Sequence, residues 1–570
     1  MKTLQRIAII GGGPSGLFMY KRLVDSGHSE VTIDIFEKNQ QLGAGMPYST
    51  DGANDEHITN VSDNEIPELV NTISEWISSV SKDTLDKYKI DPKNFNEYKV
   101  LPRLLFGQYL GAQFALLQKA AKTAGIQTTV HYGTTIVDIT DDANKATVTL
   151  QSENGEKFEF DTVIVCSGHR WPKKHEGKVK GYFDSPYPPA KLKFKANHPV
   201  ALRGSSLTAI DAIRTMAREN GSFSVNDNGD LTYQLAADSP NFKMVMHSRN
   251  GLLPAVRFHL EDSHLSKDSV LSEEVIACNR AENDGFLSLD FVFERNFKDS
   301  FKEKRPEFYE RIKDMSIEDF VTAVMKVREG TEPFKLIEAE YEEAEISIEK
   351  HQSVYWKEML AVLSFDMNYP AKYFSAEDTL RLHKTLMPLI SVVIAFAPQP
   401  SVDDMMALHK AGVLDIITVG DDSNTKAVET GGAIYDYTDE KGNKYSQHYE
   451  TFVDCVGQPH LSYDDLPYPG LLANNTVSPA KIKFRDAAEG LNALKSGKNK
   501  VSTDGQGNYY LSVPGITIND DFQVVDKYGA FNDRVYMMSV PYIGGYNPDY
   551  SGLDFCEAAS ERVSKRILQS

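Results

Sequence analysis

The sequence predicts an α/β chain with two Rossmann-like dinucleotide-binding domains, the first of them discontinuous, and a helical insertion. Three observations carry this prediction. A glycine-rich turn, Gly11-Gly-Gly-Pro-Ser-Gly16, follows the apolar run Ile7–Ile10 and opens a helix pattern from Leu17. A second strand–turn–helix unit runs from Pro199 through Gly204 to Asp211. Between about 257 and 385 strand signals give way to charged helical text, which reads as an insertion.

Taken in order, Arg6–Ile10 and Val31–Phe36 read as buried strands, Phe106–Thr123 as a long helix and Asp161–Val165 as another buried strand. The second unit offers strand His198–Leu202, helix Thr208–Glu219 and strand Lys243–His247. In the insertion, Ile337, Tyr341, Ala344, Ile348, Tyr355, Met359 and Val362 fall at helical spacings, as along one buried face of a long helix. Its acidic run Glu338–Glu349 reads as a solvated face, and Ser375-Ala-Glu-Asp378 as a capping box. Strands return at Ile416–Val419, Thr451–Val456 and Arg534–Ser539, before a last helix from Leu553 to Leu568.

Composition narrows the function. Lys plus Arg number 61 against 81 Asp plus Glu, a net charge of −20 that repels phosphate backbones and anionic membranes, so no nucleic-acid or membrane partner is expected. The 4 cysteines are far apart with no CxxC, which argues against a redox disulfide, and no Cys/His pair has zinc spacing, so no metal is expected. The apolar stretch Leu386–Ala397 is short and contains Pro388. The amino terminus enters a strand without a signal-peptide core, so a cytoplasmic location is expected.

The first turn has the parts a dinucleotide needs. Gly11 permits the tight bend, Gly13 lets the backbone approach a pyrophosphate, Gly16 lets helix and strand pack, and the helix start presents amide N–H groups. Glu37 ends the next strand, where a carboxylate meets ribose hydroxyls. The second turn, Gly204-Ser205-Ser206-Leu-Thr208-Ala209, has lost two of these glycines. Arg249, after strand Lys243–His247, stands where an arginine favours the 2′-phosphate of NADPH. Two further strands end alike in small residues, Val163-Ile-Val-Cys166-Ser-Gly168 and Phe452-Val-Asp-Cys455-Val-Gly457, at points where the chain passes between domains. The turn into Gly552-Leu553 places a helix start where it can face a flavin or a pyrophosphate.

The order of these elements resembles the two-dinucleotide-binding-domain flavoproteins, which include glutathione-reductase-like enzymes and class B flavin monooxygenases. More narrowly it resembles the bacterial FAD-NAD(P)-binding family. Gly11–Gly16 with Glu37, Gly43–Tyr48, His57–Asn60, Pro102-Arg103, Gly107–Leu110, Cys166–Gly168, Gly204–Asp211, Ser248–Pro254 and Asp454–Gln458 carry the resemblance. It implies an FAD-binding domain from residues 1–195 and 455–570, an NAD(P)-binding-like domain from 196–256 and 386–454, and the insertion at 257–385.

The resemblance further implies that Gly11, Gly13, Pro14, Ser15 and Gly16 hold the FAD pyrophosphate, and Glu37 with Lys38 the adenosine end. Arg103 and Gln108 would contact FAD, Val137 in strand Gly133–Ile139 would meet adenine, and Ser167, Gly168, Gly552 and Leu553 would line the same cofactor. Met46, Pro47, Tyr48 and His57–Asn60 would lie near the flavin. Gly204, Ser205, Ser206, Thr208 and Arg249 are the expected NADPH residues.

The expected function is an FAD-dependent oxidoreductase, an NADPH-driven monooxygenase of a small molecule. An NAD(P)H-dependent reductase or dehydrogenase without oxygenation, and a non-catalytic flavin-holding protein, remain open as alternatives. Asn60 and Tyr48 are the catalytic candidates, through hydrogen bonds to substrate or intermediate, against loop-forming and core-packing roles. His57 is a proton carrier or a structural residue. Trp356, Tyr355 and Phe365, in an insertion that covers the inter-domain cleft, read as core or as lining of a substrate pocket, with core preferred.

Overall fold

The computed structural model describes residues 4–261, 271–439, 441–548 and 552–569. Strand Gln5–Ile10 lies inside a six-stranded sheet whose order is 523–525, 531–537, 162–165, 5–10, 31–37 and 127–132. All neighbours are parallel except the edge pair Gln523–Val525 and Phe531–Met537. Ile7, Ala8 and Ile9 are fully buried, as the unbroken apolar run of a central parallel strand requires. Strand Phe531–Met537 brings the carboxy-terminal region back into this sheet beside Thr162–Val165, so the first domain is discontinuous.

The second sheet repeats the plan, in the order 182–183, 451–454, 199–203, 243–248 and 414–418, all parallel. Each domain also carries a three-stranded antiparallel sheet, 136–160 in the first and 424–449 in the second, just ahead of the strand that returns to its main sheet. The equivalence reaches single hydrogen bonds. Gly11 N–H donates to Phe36 O at 2.8 Å and Gly204 N–H to His247 O at 2.9 Å, while Cys166 N–H meets Ile10 O and Cys455 N–H meets Arg203 O, both at 2.8 Å. The two small-residue strand ends therefore occupy equivalent positions beside the two glycine turns.

Between the halves of the second domain stands an all-helical body with its own core, in which Phe293, Phe297, Phe301 and Phe320 pack on Leu360 and Leu363. The chain differs from expectation here in two ways. The single long helix is two, Pro333–Lys350 and Tyr355–Asn368, because His351 takes a left-handed conformation at φ 50° and closes the first. The acidic run is not uniformly solvated: Glu340 is buried, accepting from Arg328 Nη1 at 2.7 Å and Lys357 Nζ at 2.8 Å. Ser375 does cap helix Ala376–Arg381, accepting from Asp378 N–H, but the box is not closed, because the Asp378 carboxylate accepts from Leu289 N–H and Arg381 instead.

The domain borders are also shaped by packing. Tyr182–Phe183 pairs with Thr451–Asp454, which ties the segment before 195 to the second sheet. Helix Met387–Val393 buries Leu389, Ile390 and Val393 in the helical core rather than in the second domain.

Candidate functional site: a shared groove

A groove of about 620 Å³ opens where the three bodies meet. At one end lies the glycine turn. A methyl group on Gly11, whose φ is +107°, would stand 2.3 Å from Cys166 O, and one on Gly16 would stand 2.1 Å from Gly11 O. Gly16 therefore works from behind the groove, letting helix and strand touch. One on Gly13 would lie 3.0 Å from Gly45 Cα, so this turn stays open to a ligand only as glycine. Helix Pro14–Asp25 begins without a side-chain cap, which leaves its first N–H groups for an anion.

Glu37 is 5% exposed and organised before any ligand arrives: Oε2 accepts from Gly12 N–H and Oε1 from Asn39 N–H, both at 2.8 Å. Each oxygen keeps a lone pair for a ribose hydroxyl. The lining then passes Lys38, Gly45, Met46, Pro47, Tyr48, Thr59, Asn60 and Arg103, and across from them Ser167, Gly168, Gly552, Leu553 and Cys556. Ser15 Oγ contacts Cys556 Sγ at 3.3 Å, and burial pushes that thiol up to about 12.

The groove thus brings together Gly11, Gly13, Pro14, Ser15, Glu37, Lys38, Met46, Pro47, Tyr48, Asn60, Arg103, Ser167, Gly168, Thr208, Gly552 and Leu553. Gln108 is exposed on helix Arg103–Thr123, outside this lining. Val137 is also outside it, at 37% exposure. Gly133, at φ +63°, turns the chain, the strand starts only at Ile136, and Thr134, Thr135 and Ile136 form the wall instead.

Arg103 is committed to the domain interface. Its Nη1 donates to Asp211 Oδ2 at 2.5 Å and its Nε to Ile58 O at 3.1 Å, while Tyr187 Oη donates to the same Asp211 oxygen at 2.6 Å. Arg103 holds the Asp211 carboxyl below the usual range against the opposing effect of burial. His57 is fully buried; its Nδ1 accepts from Asn54 N–H, so Nε2 carries the proton and faces Asp211 O and Thr215 Oγ1. It fastens the two domains as a neutral imidazole outside the groove.

Tyr48 rests edge-on against Phe106, and burial raises its phenol to about 12. Among the described residues neither its hydroxyl nor the Asn60 side-chain amide has a hydrogen-bond partner, and both residues line the groove.

The second turn opens toward the same space. Leu207 and Thr208 line the groove, and helix Leu207–Asn220 also begins without a side-chain cap. Ser205 Oγ donates to Leu252 O at 2.6 Å, Ser206 is exposed, and Gly204 keeps φ +104°. The turn's geometry has survived the loss of its glycines. Gly204, Ser205, Ser206 and Arg249 lie outside the groove's lining, and Arg249 is exposed, 3.8 Å from Asp421.

Sequence reasoning missed much of the wall. Trp171, Tyr187, Gln458 and Tyr468 reach it from loops, and Ala361, Phe365, Ile394 and Phe396 from the insertion and its exit. Phe365 lines the wall, the pocket role that stood as its alternative to core packing, whereas Tyr355 packs on Phe301 and donates to Ser300 O. No local pattern marks these residues, since only the packing of separate bodies brings them to one place.

Residues 8–170 match the family model described as FAD-NAD(P)-binding, and residues 272–394 match that of the YdhS-like middle domain. The chain is 26% identical over 475 residues to the uncharacterised Escherichia coli (strain K12) protein YdhS, covering 82% of this chain and 86% of that one. It is 25% identical over 178 residues to the Arabidopsis thaliana flavin-containing monooxygenase FMO GS-OX3, covering 29% of this chain and 36% of that enzyme. Among solved structures, the ornithine N-hydroxylase of Kutzneria sp. 744 aligns over 99% of this chain and 98% of its own with a TM-score of 0.44 and 11% identity. The fold and its groove define a chain with two dinucleotide-binding-type α/β domains and a helical insertion. Within that architecture the chain carries an FAD-NAD(P)-binding domain and a YdhS-like middle domain. No helix among the described residues is long and apolar enough to cross a membrane.

Proposed function

We propose that the protein is an FAD-dependent monooxygenase driven by NADPH and acting on a small molecule. The observation that carries this reading is that the Gly11 turn, the start of helix Leu207–Asn220 and the wall from the helical insertion all open onto one groove. When bound, FAD would supply two-electron transfer from nicotinamide and the reduction of O₂, one oxygen atom going to the substrate and the other to water.

The chain's own residues do the rest. The N–H groups at the start of helix Pro14–Asp25 take the FAD pyrophosphate, and Glu37 takes its ribose. The uncapped start of helix Leu207–Asn220 suits a second pyrophosphate, and Arg249 suits a 2′-phosphate. The Arg103–Asp211 pair fixes one domain against the other, so that two bound nucleotides meet in register. Among the described residues Asn60 and Tyr48 offer hydrogen-bonding groups inside the groove that no protein partner uses, and the insertion supplies part of its wall.

The test is an anaerobic titration of the FAD-loaded protein with NADPH and then NADH, followed at the flavin's visible band. Bleaching by NADPH, and NADPH-dependent oxygen uptake once air is admitted, are the expected results. Bound FAD that neither nucleotide bleaches would sink the proposal. Bleaching with all oxygen recovered as peroxide across substrates would make the protein a reductase.

A further inference from the structure

The end of the groove under the insertion differs chemically from the nucleotide-holding end. On one side lies the segment Thr59–Ile66, and on the other Ala361, Phe365, Ile394 and Phe396 with the uncharged polar residues Ser364 and Asn368. The charged groups that border this end, Glu65 and Arg103, are already paired. The Glu65 side chain is 2% exposed and is held by both terminal nitrogens of Arg257, which also donates to Ser62 Oγ at 2.8 Å and to the backbone carbonyl of Asn60. Arg103 is tied to Asp211. Burial lowers the proton affinity of His169, which leaves a neutral ring.

A charged substrate entering here would lose water without gaining a counter-ion, a cost of several kcal/mol that nothing in the wall offsets. An apolar body would be received by the aromatic and aliphatic wall. Asn60, with its backbone carbonyl pinned by Arg257 and its side-chain amide unpartnered among the described residues, is placed to meet one polar group. We propose that the substrate is an uncharged, largely apolar small molecule, one hydrogen-bonding group of which is received by the Asn60 amide. This rests on the monooxygenase reading for its claim that the occupant is a substrate.

The FAD-loaded protein is titrated with hexanol, hexylammonium and hexanoate, which share a chain and differ in charge, and binding is read from the shift of the flavin band without turnover. Hexanol is expected to half-saturate at a concentration at least about tenfold below either ion. Asn60→Ala, which removes no buried packing, should weaken hexanol by about tenfold. Ala361→Asp should reverse the order and favour hexylammonium. Either ion binding as tightly as hexanol, no shift with hexanol, or no effect of Asn60→Ala overturns the proposal. Reduction of the same sample by NADPH is measured separately. Its failure would count against the monooxygenase reading, whereas a wrong binding order would count against the substrate class alone.

Discussion

Arg103 Nη1 and Asp211 Oδ2 stand 2.5 Å apart, and this ion pair joins the helix that follows Pro102 to helix Leu207–Asn220 of the second domain. Asp211 is wholly enclosed, with Tyr187 donating to the same oxygen and His57 against its carbonyl. The relative placement of the two nucleotide turns therefore rests in part on one buried carboxylate, beside the bonds of Asn54, Glu56 and His57 to Thr215.

Asp211→Asn should leave the Arg103 guanidinium buried without its counter-charge, lowering stability by about 3–5 kcal/mol. Flavin reduction by NADPH should slow more than FAD content falls, because Gly11, Glu37 and the first helix start are untouched. Tyr187→Phe removes one hydrogen bond and should cost about 1 kcal/mol. Urea unfolding and anaerobic stopped-flow reduction of the two variants measure both effects.

Glu37→Gln addresses the first nucleotide site. The carboxylate takes two backbone N–H groups at 2.8 Å, and a carboxamide accepts through only one of its two terminal atoms. FAD affinity should fall by about ten- to a hundredfold, the range expected when charge-assisted hydrogen bonds worth 1.5–3 kcal/mol are lost. Equilibrium titration of the apoprotein with FAD checks this, with circular dichroism confirming that the sheet persists.

These two sites show unequal legibility in the sequence. Gly16 is dictated by a contact within a short stretch of chain, with Gly11 O, so the glycine spacing states the turn itself, whereas the neighbours that close on Gly11 and Gly13, Cys166 and Gly45, come from elsewhere in the chain. The strand ends at Cys166 and Cys455 are legible as a pair because each crosses its own domain's glycine turn. Arg103 is recognisable as a groove residue, but its commitment to Asp211 depends on how two domains dock, which no local pattern encodes. The break at His351 is equally silent, because the apolar positions on either side keep helical spacing while one left-handed residue redirects the chain. Phe365 and Phe396 look like ordinary core until the insertion is laid over the groove.

Arg249 tests the second site. It is 72% exposed and only loosely paired with Asp421, so its removal should leave the fold intact. Arg249→Ala should lower kcat/KM for NADPH by about tenfold, the loss expected for one exposed cation–phosphate contact, and leave NADH unchanged. Equal losses with both nucleotides would mean that Arg249 does not read the 2′-phosphate.

Asp366 makes a prediction about pH. It lies in helix Tyr355–Asn368 within the helical body, where burial pushes its carboxyl up to about 8 from an ordinary 3.8. Asn296 Nδ2 donates to one oxygen at 2.8 Å, and the other has no partner among the described residues. Between those two pH values the unfolded chain has released its proton while the folded chain retains it. Stability contributed by this group therefore falls as pH rises from about 4 to about 8, and levels off once both states are ionised. Asp366→Asn keeps the acceptor for Asn296 and removes the titration. The variant should match the parent below about pH 4, where Asp366 is protonated in both states, and exceed it by about 4–6 kcal/mol near pH 8, as expected when a buried carboxylate need no longer ionise. Melting curves of both proteins across that interval decide the matter: a gap in Tm that widens with pH supports a protonated Asp366, and parallel curves would show that the folded protein already holds it ionised.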